Sequence, residues 1–356
     1  NRFSILPGKK IIICTNNDSA YPPALELSKA GAEVKLLDAR SEIEDSLSGK
    51  ALRNGVDLQM NAAPLNVNGS RGVKSLDIAV EKKNKWQKGN TELCDLVLVS
   101  GGWSPVVHLL SHRGIRPIWD KLNACFVPDK YSESITVAGS ASGIWGKDNC
   151  IASGIVAGLK AADNLGIKTK SYSFPSAGGW SNPIKPLYEV KISHYKTKSF
   201  VDFQHDVTSD DVRLAHREGF ESAEHLKRYT TLGMANDQGK IGNILGLALM
   251  AECLGKEIPD VGTTTFRPPY TPVAIGALTG RNTGDHFKPL RRSPIHEWNL
   301  AHGAKMIAAG LWQRPWYFPR EGETLSNAYI REATTTRKSV GICDVTSLGK
   351  IVIQGP

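Results

Sequence analysis

The opening of the chain constrains the fold more than any other stretch. Lys9–Cys14 is an apolar stretch typical of a buried strand, and Asn16–Ser19 then precedes a predicted helix over Ala20–Ala30. Gly31 leads into a second strand-like stretch, Glu33–Asp38. Parallel strands need a crossover between them, usually a helix, so this order predicts a βαβ unit. We therefore expect an α/β domain built on a parallel sheet.

The turn after the first strand carries little sign of a nucleotide site. A dinucleotide-binding turn reads G-x-G-x-x-G, which lets backbone approach the pyrophosphate, and an acid at the end of the second strand binds the ribose. Asp38 supplies the acid, but Thr15-Asn16-Asn17-Asp18-Ser19 contains no glycine. We expect Asp18 to cap the helix, where its charge would repel a phosphate. A structural role for this turn is favoured.

Three further stretches complete the predicted α/β region. Asn66–Val73 contains an Asn-Gly pair and predicts a hairpin. Cys94–Val99 predicts a buried strand that ends in a glycine turn, and Ser134–Ala138 predicts another strand that ends in a turn of small residues. A helix over Asn149–Leu165 follows, and its small residues (Ala152, Gly154, Ala157, Gly158 and Ala161) predict very close packing.

Composition excludes several classes of function. The 356 residues are enough for two or three domains, and no stretch approaches the run of about 20 apolar residues that a membrane helix needs. The net charge of +9 is dispersed along the chain, so we do not expect nucleic-acid binding. The six cysteines form no C-x-x-C pair, which favours reduced thiols in a cytoplasmic protein. The chain lacks an initiator methionine and stops within a strand-like stretch, so we expect a fragment of a longer protein.

The middle of the chain contains an elbow, defined here as Arg228–Lys240, between two predicted helices. A helix starting at Ser222 precedes it, and the apolar stretch Asn243–Leu254 predicts a buried helix after it. Gly239 and Gly242 are expected to leave backbone amides accessible at the start of that helix, where Lys240 adds positive charge. The elbow is therefore either an anion site or an ordinary corner between helices with a solvated lysine.

Two later stretches leave alternatives open. Thr263–Pro272 has prolines on both sides of Tyr270, which predicts a rigid extended segment. It would present Arg267 either to a ligand or partner, or to solvent from an edge strand. The aromatic residues Trp312, Trp316, Tyr317 and Phe318 form either a core or a ligand platform, and composition favours the core.

Each of the three regions resembles a known module. The strand-turn-helix pattern up to Leu165 resembles the C-terminal part of two-dinucleotide-binding-domain flavoproteins. The region after Val201 resembles small helical domains that bind an iron-sulfur cluster, but the ligand cysteines are replaced by Asp202, Gln204, Asp237 and Gly242. No iron-sulfur cluster is therefore expected. The stretch from Pro294 to Ile351, with His296-Glu297-Trp298 and Asp344-Val345-Thr346-Ser347, resembles the opening of the aminomethyltransferase fold, which binds tetrahydrofolate.

The order of the modules, with Arg228-Tyr229-Thr230-Thr231 and Thr264–Pro272 as distinctive strings, resembles the alpha subunits of heterotetrameric sarcosine oxidases. The implied fold class is α/β: part of a two-dinucleotide-binding-domain flavoprotein fold, a small helical domain, and the start of an aminomethyltransferase-like α+β domain. The implied domains are 1–166 (part of an FAD/NAD(P)-binding-like domain), 167–200 (linker), 201–290 (helical domain) and 291–356 (start of the folate-binding domain).

The resemblance implies oxidative demethylation of sarcosine to glycine, with peroxide formed and the one-carbon unit passed to tetrahydrofolate. Amine oxidation would take place on a partner protein, so this chain is expected to hold no catalytic residue and no metal ligand. Beta, gamma and delta-type subunits are the implied partners. The cofactors implied are NAD, FMN at the interface with a partner, and tetrahydrofolate in the full-length chain, whose pocket would be completed beyond Pro356.

Site residues carried over from the resemblance fall in two groups. Ser140, Trp145 and Lys147 are the candidate NAD contacts, although the family tends to have a small or apolar residue at the position of Trp145 and a hydroxyl at that of Lys147. Gln238, Lys240, Thr265 and Arg267 are candidate cations and donors for the FMN phosphate at the interface. Two alternatives stay open: a component of another amine or amino-acid dehydrogenase complex, and a scaffold without cofactors that holds partner subunits.

Overall fold

The computed structural model describes residues 3–129, 135–170, 184–265, 270–281, 284 and 289–355. The chain divides after Pro272 into two compact units. The strands and helices of the first unit are β1 (Lys10–Thr15), α1 (Tyr21–Lys29), β2 (Glu33–Asp38), α2 (Asp45–Arg53), β3 (Asp57–Met60), β4 (Ala62–Asn68), β5 (Ser75–Lys82), β6 (Lys85–Leu93), β7 (Leu96–Ser100), α3 (His108–Ser111), β8 (Ile118–Asp120), β9 (Cys125–Val127), α4 (Lys147–Asn164), β10 (Phe200–Asp202), β11 (Val207–Thr208), α5 (Ser209–Arg217), α6 (Ala223–Thr230), α7 (Asn243–Leu254) and α8 (Ile258–Val261). Those of the second unit are α9 (Ile275–Thr279), β12 (Arg291–Arg292), α10 (His296–Ala301), β13 (Lys305–Ala309), β14 (Trp312–Tyr317) and α11 (Leu325–Lys338).

A parallel sheet with the strand order β3-β2-β1-β7 starts the first unit, as the βαβ pattern predicted. The apolar side chains of β1 and β2 alternate between two faces. Ile11 and Ile13 pack with Tyr21 of α1, while Ile12 and Cys14 pack against the β4–β5 side of the sheet. Burial on both faces explains why these strands are apolar at consecutive positions.

The cap of the first helical turn differs from the prediction. Asn17 is the capping residue, because its side-chain oxygen accepts a hydrogen bond from the Ser19 amide at 2.9 Å. Asp18 instead accepts a hydrogen bond from Arg40 Nη1 at 2.7 Å. The predicted cap at Asp18 was therefore wrong by one residue, because the arginine that binds Asp18 is distant in sequence.

An antiparallel sheet of β4, β5 and β6 follows, and it contains the predicted hairpin. Gly69 begins its loop with φ of 149°, and a Cβ atom there would lie 1.9 Å from the Gly72 carbonyl oxygen. Glycine is required at this position because no side chain fits so close an approach.

The region before and within α4 corrects two predictions. Ile135–Ala138 forms no strand, and a 3₁₀ turn over Gly139–Ser142 follows it directly. The helix α4 contains no buried residue, and a Cβ atom at Gly154 or Gly158 would meet no atom within 4 Å. The predicted close packing of its small residues is thus absent from the described part of the chain.

The helices around the elbow form a separate core of the first unit. Buried Val212, Leu226, Leu247 and Met250 pack together with Val201 of β10. Thr208 and Asp211 form a reciprocal capping box at the start of α5, and Ser222 caps α6. The predicted helices on both sides of the elbow are confirmed, and α7 has the predicted bounds.

In the second unit, β14 pairs with β13 in antiparallel and with β12 in parallel orientation. The loop after β14 is fastened to α11 by Glu323, which accepts hydrogen bonds from Arg331 Nε at 2.8 Å and Nη2 at 2.7 Å. Throughout the described residues, none of the helices has the length and apolar character that a membrane crossing requires.

Candidate functional site

The elbow is tightly folded, and its glycines serve packing. Gly239 has φ of 75°, and a Cβ atom there would lie 2.1 Å from Asn243 Oδ1. A Cβ atom at Gly242 would lie 2.6 Å from the Val201 carbonyl oxygen. Both glycines are buried, so the prediction that they leave accessible amides for an anion was wrong. Their small size is needed because the start of α7 presses against the elbow and β10.

Asp202 fastens the elbow to the loop after β10. The side chain is buried, with 5% of its surface exposed, and Oδ1 accepts hydrogen bonds from the amides of Gln204 at 2.8 Å and His205 at 3.2 Å. Oδ2 accepts from the Gly233 amide at 2.9 Å. Asp202 occupies the first of the four positions where the resembling domains carry a cluster cysteine. Its carboxylate joins these two loops by hydrogen bonds.

The other positions carry no comparable ligand arrangement. Gln204 is in the loop bound by Asp202, and Gly242 has no side chain. Across the residues that the structure describes, no three His, Cys, Asp or Glu side chains are grouped for a metal ion. That the chain holds no iron-sulfur cluster stays a prediction based on the four missing cysteines.

Three side chains stack where the elbow meets α3. The rings of His108 and Tyr270 are stacked with centroids 4.1 Å apart and planes inclined by 20°. The Lys240 ammonium lies 4.3 Å from the centroid of the Tyr270 ring, a favourable cation–π distance. Burial lowers the pKa of His108, and the electrostatic influence of the neighbouring His112 and Lys240 lowers it further. Neutral histidine is therefore the favoured form beside the lysine.

A small cavity of about 70 Å³ adjoins this stack, and Lys240, Tyr270, Thr263 and Thr264 are among its walls. Burial and the nearby Asp237 carboxylate raise the pKa of Tyr270. The phenol therefore stays protonated at neutral pH.

Among the described residues of this region, three buried polar atoms lack a hydrogen-bond partner: His108 Nδ1, Asp237 Oδ1 and Asn243 Oδ1. Leaving such atoms unsatisfied costs about 1–3 kcal/mol each. Two of the three are acceptors, so N–H or O–H groups would satisfy them. The local chemistry thus combines one cation with unused acceptors.

Of the predicted interface residues that the structure describes, Lys240 lines this cavity, whereas Gln238 and Thr265 do not. Gln238 Nε2 donates to the Ala235 carbonyl at 2.9 Å, so this amide is engaged within the elbow. Thr264 Oγ1 accepts a hydrogen bond from Asn243 Nδ2 at 3.3 Å, which holds the start of the predicted extended segment Thr263–Pro272 beside α7. Thr265 is exposed, and its amide donates to Glu224 at 2.9 Å. Arg267 lies outside the described residues.

The candidate NAD residues surround the start of α4. Ser140 lies exposed in the 3₁₀ turn, and Lys147 is the first residue of the helix. Gly146 precedes it without a side chain to cap the first-turn amides, which leaves them free for an anion. Trp145 is half-buried, with its ring 6.4 Å from that of Trp103. A cation and free helix amides fit a pyrophosphate.

The acid that ends β2 is not available to a ribose. Asp38 is completely buried, and its carboxylate binds the Arg40 guanidinium at 2.7 Å and the Tyr21 hydroxyl at 2.9 Å. Asn17 Nδ2 donates to the Ser100 carbonyl at 3.0 Å, which ties the first turn to β7. The turn after β1 therefore has the structural role predicted for it.

Sequence reasoning did not find His108 or Asn243. Each carries an unpartnered buried atom, but neither stands in a motif, and only their position in the fold relates them to the elbow. In the sequence Tyr270 is marked only by its flanking prolines, yet in the structure it contacts both His108 and Lys240. The sequence marks Asp202 only as a replaced cysteine, whereas its hydrogen bonds give it a role of its own.

Comparison with known structures defines the class of fold. The chain shares the fold of L-proline dehydrogenase from P. horikoshii, with a TM-score of 0.52 and 20% identity over 78% of this chain and 51% of that one. The predicted α/β fold class is thus confirmed.

Sequence comparison identifies the particular relatives. A family model of the sarcosine oxidase A3 domain matches residues 196–281, and one of the GCVT N-terminal domain matches residues 295–356. The chain is 38% identical to the sarcosine oxidase alpha subunit of Rhizobium meliloti strain 1021 and 37% identical to that of Corynebacterium sp. strain P-1. Both matches cover 100% of this chain. The predicted resemblance to sarcosine oxidase alpha subunits is therefore confirmed along the whole chain.

The chain spans only 35% and 38% of the length of these two relatives. Their names state that they are subunits. The predicted domain limits 1–166, 167–200, 201–290 and 291–356 stay predictions, although the two matched ranges overlap the last two of them.

Proposed function

We propose that this chain is a section of the alpha subunit of a sarcosine oxidase. The activity proposed is oxidative demethylation of sarcosine to glycine, with peroxide formed and the one-carbon unit passed to tetrahydrofolate. The observation that carries the proposal is the 37–38% identity to sarcosine oxidase alpha subunits over the whole chain. The matched GCVT N-terminal domain supports the folate step.

The proposed partners are beta, gamma and delta-type subunits, and the amine is oxidised on a partner. This chain contributes binding surfaces. Ser140, Trp145 and Lys147 are proposed to hold NAD, because a cation and uncapped helix amides lie together there. A cytoplasmic location remains part of the proposal.

The elbow is proposed to face FMN held at the interface with a partner. Lys240 supplies the cation, and its ammonium is kept in place by the Tyr270 ring. Gln238, Thr265 and Arg267 complete the proposed set. Since the amides of Gly239 and Gly242 are buried, the flavin phosphate would depend on side chains rather than on the start of α7. Bound FMN would supply the redox chemistry, and these residues would position it.

A second candidate is a component of another complex that oxidises amines or amino acids. The chain is 25% identical, over a match that covers 53% of its length, to an opine oxidase subunit of Rhizobium meliloti. The shared fold with an L-proline dehydrogenase is compatible with this candidate as well.

The flavin proposal is tested by producing the full-length chain with its partner subunits and measuring flavin absorbance per complex. Lys240→Ala and Arg267→Ala are each expected to lower flavin content, because a phosphate loses a cation. Lys256→Ala is the matched control, since this exposed lysine follows the other end of α7. Equal flavin content in both variants and the control would exclude the elbow as a flavin site.

Substrate choice is tested separately with the assembled wild-type complex. Peroxide formation is expected with sarcosine. A complex that forms peroxide with another secondary amine but not with sarcosine would replace the first candidate by the second.

A further inference from the structure

A second cavity, of about 610 Å³, lies at the carboxyl ends of β1, β2 and β7. Ligand cavities commonly measure about 300–1,000 Å³, and parallel sheets bind ligands beyond the carboxyl ends of their strands. Strand β4 and the segment 187–200 close its other sides. We call it the sheet-edge cavity. None of the residues proposed to contact NAD or FMN is among its walls.

A dinucleotide does not fit this edge of the sheet. Asp38 is engaged by Arg40 and Tyr21, as described above. Lys185 also crosses the ends of the strands: its amide donates to the Asn16 carbonyl at 3.1 Å, and its own carbonyl accepts from Asn16 Nδ2 at 3.0 Å. The Lys185 ammonium donates to the Ala39 carbonyl at 2.9 Å. The chain itself thus occupies the place where a ribose would bind, and the cavity lies beside it.

The walls of the sheet-edge cavity are aromatic and apolar. Phe200 and Phe203 are stacked, with centroids 5.4 Å apart and planes inclined by 26°. Phe203 remains 72% exposed, and Val67 and Val99 are 50% and 70% exposed. Large apolar side chains that stay exposed around one cavity are typical of a ligand site. Tyr188 adds a half-buried ring, and burial raises its pKa.

The cavity also carries one unbalanced charge. The Lys198 ammonium lies 4.9 Å from the Phe200 ring centroid. No carboxylate of the described residues lies within ion-pair distance of it. Glu189 is in the same wall, but it pairs with Arg213, which lowers the pKa of Glu189 against the effect of burial. The charge of Glu189 is therefore already balanced by Arg213, whereas the charge of Lys198 is not balanced by a carboxylate of the described residues.

We propose that the sheet-edge cavity binds a small planar aromatic anion. Its ring would lie against Phe200 and Phe203, opposite Val67 and Val99, and its negative group would pair with Lys198. The binding involves no covalent step. It is independent of the proposed sarcosine oxidase activity, because it uses neither the elbow nor the start of α4.

The test uses two fluorescent probes of similar shape and different charge, on the full-length chain in its complex. Anilinonaphthalenesulfonate carries an anion, and phenylnaphthylamine is its neutral counterpart. Phe203→Ala is expected to lower the binding affinity of both probes about threefold to tenfold, because an aromatic contact is lost. Lys198→Gln is expected to lower the affinity of only the sulfonate probe, by a similar factor. Lys196→Gln, a nearby lysine that does not line the cavity, should change neither probe.

Circular dichroism of each variant checks that the fold is retained, which the exposure of Phe203 favours. Unchanged affinity of both probes in Phe203→Ala would overturn the proposal. An equal loss of affinity for both probes in Lys198→Gln would also overturn it, since the ammonium would then act through structure and not through charge.

Discussion

Asp202 illustrates how one buried carboxylate can join two loops. Its two carboxylate oxygens accept three backbone hydrogen bonds, two from the loop after β10 and one from the elbow. Hydrogen bonds to a charged acceptor are worth about 1.5–3 kcal/mol, more than neutral ones. The carboxylate can therefore hold two loops together where related domains carry a cysteine. The sequence showed the substitution, but only the fold showed which amides it binds.

We expect Asp202→Asn to destabilise the first unit by about 1–3 kcal/mol, because one amide group must then face a backbone N–H donor. Chemical denaturation followed by circular dichroism measures the change. Asp206→Asn is the matched control: Asp206 is exposed and has φ of 54°, which asparagine tolerates. A loss in Asp202→Asn no greater than in the control would show that the three hydrogen bonds contribute little.

The helix α7 shows how much an element's own sequence can determine. Its apolar content predicted burial, and Gly255 predicted its end, where the structure has a left-handed residue with φ of 62°. The packing role of Gly239 before its start required the structure, because a Cβ atom there would overlap the Asn243 carboxamide. The sequence alone does not distinguish a glycine that leaves its amide accessible from one that is required by close packing against a side chain.

These two glycines form a matched pair for a stability test. Gly255→Ala is expected to cost about 1–2 kcal/mol, because alanine is strained in a left-handed conformation. Gly239→Ala should cost about 1–3 kcal/mol more, since its Cβ atom would also overlap the Asn243 carboxamide. Denaturant unfolding of both variants gives the comparison. Equal losses would mean that the carboxamide moves aside freely.

The segment 135–138 shows, in contrast to α7, where a local sequence pattern fails to predict the element. Its β-branched residues predicted a strand, yet it pairs with no strand of the described chain. A strand exists only through hydrogen bonds to a neighbour, which local preference cannot supply. Helix α4, by contrast, forms its hydrogen bonds internally, so it was predicted correctly even though none of its residues is buried.

At the scale of the whole molecule, the cysteines divide by burial. Cys14, Cys94 and Cys125 are buried and Cys343 is exposed. Burial raises the pKa of Cys14 to about 12 and that of Cys125 to about 12. Since the thiolate is the reactive form, these two thiols should be inert in the folded protein.

Alkylation by iodoacetamide at about pH 8, followed by peptide mass spectrometry, tests this expectation. Cys343 should be labelled within minutes, whereas Cys14 and Cys125 should be labelled only after unfolding in denaturant. Rapid labelling of Cys14 in the native protein would contradict the burial of β1. The denatured sample is the control for the intrinsic reactivity of each thiol.

The sequence alone determined the elements whose hydrogen bonds or apolar patterns are local: the βαβ unit, the hairpin, the helices around the elbow and the resemblance of each module to a known family. Tertiary structure decided what individual polar residues do. Asp38 binds Arg40 and Tyr21, Asp202 binds loop amides, and Gly239 makes room for Asn243. These roles depend on contacts with residues that are distant in sequence or on how closely the chain packs. A local sequence pattern specifies neither.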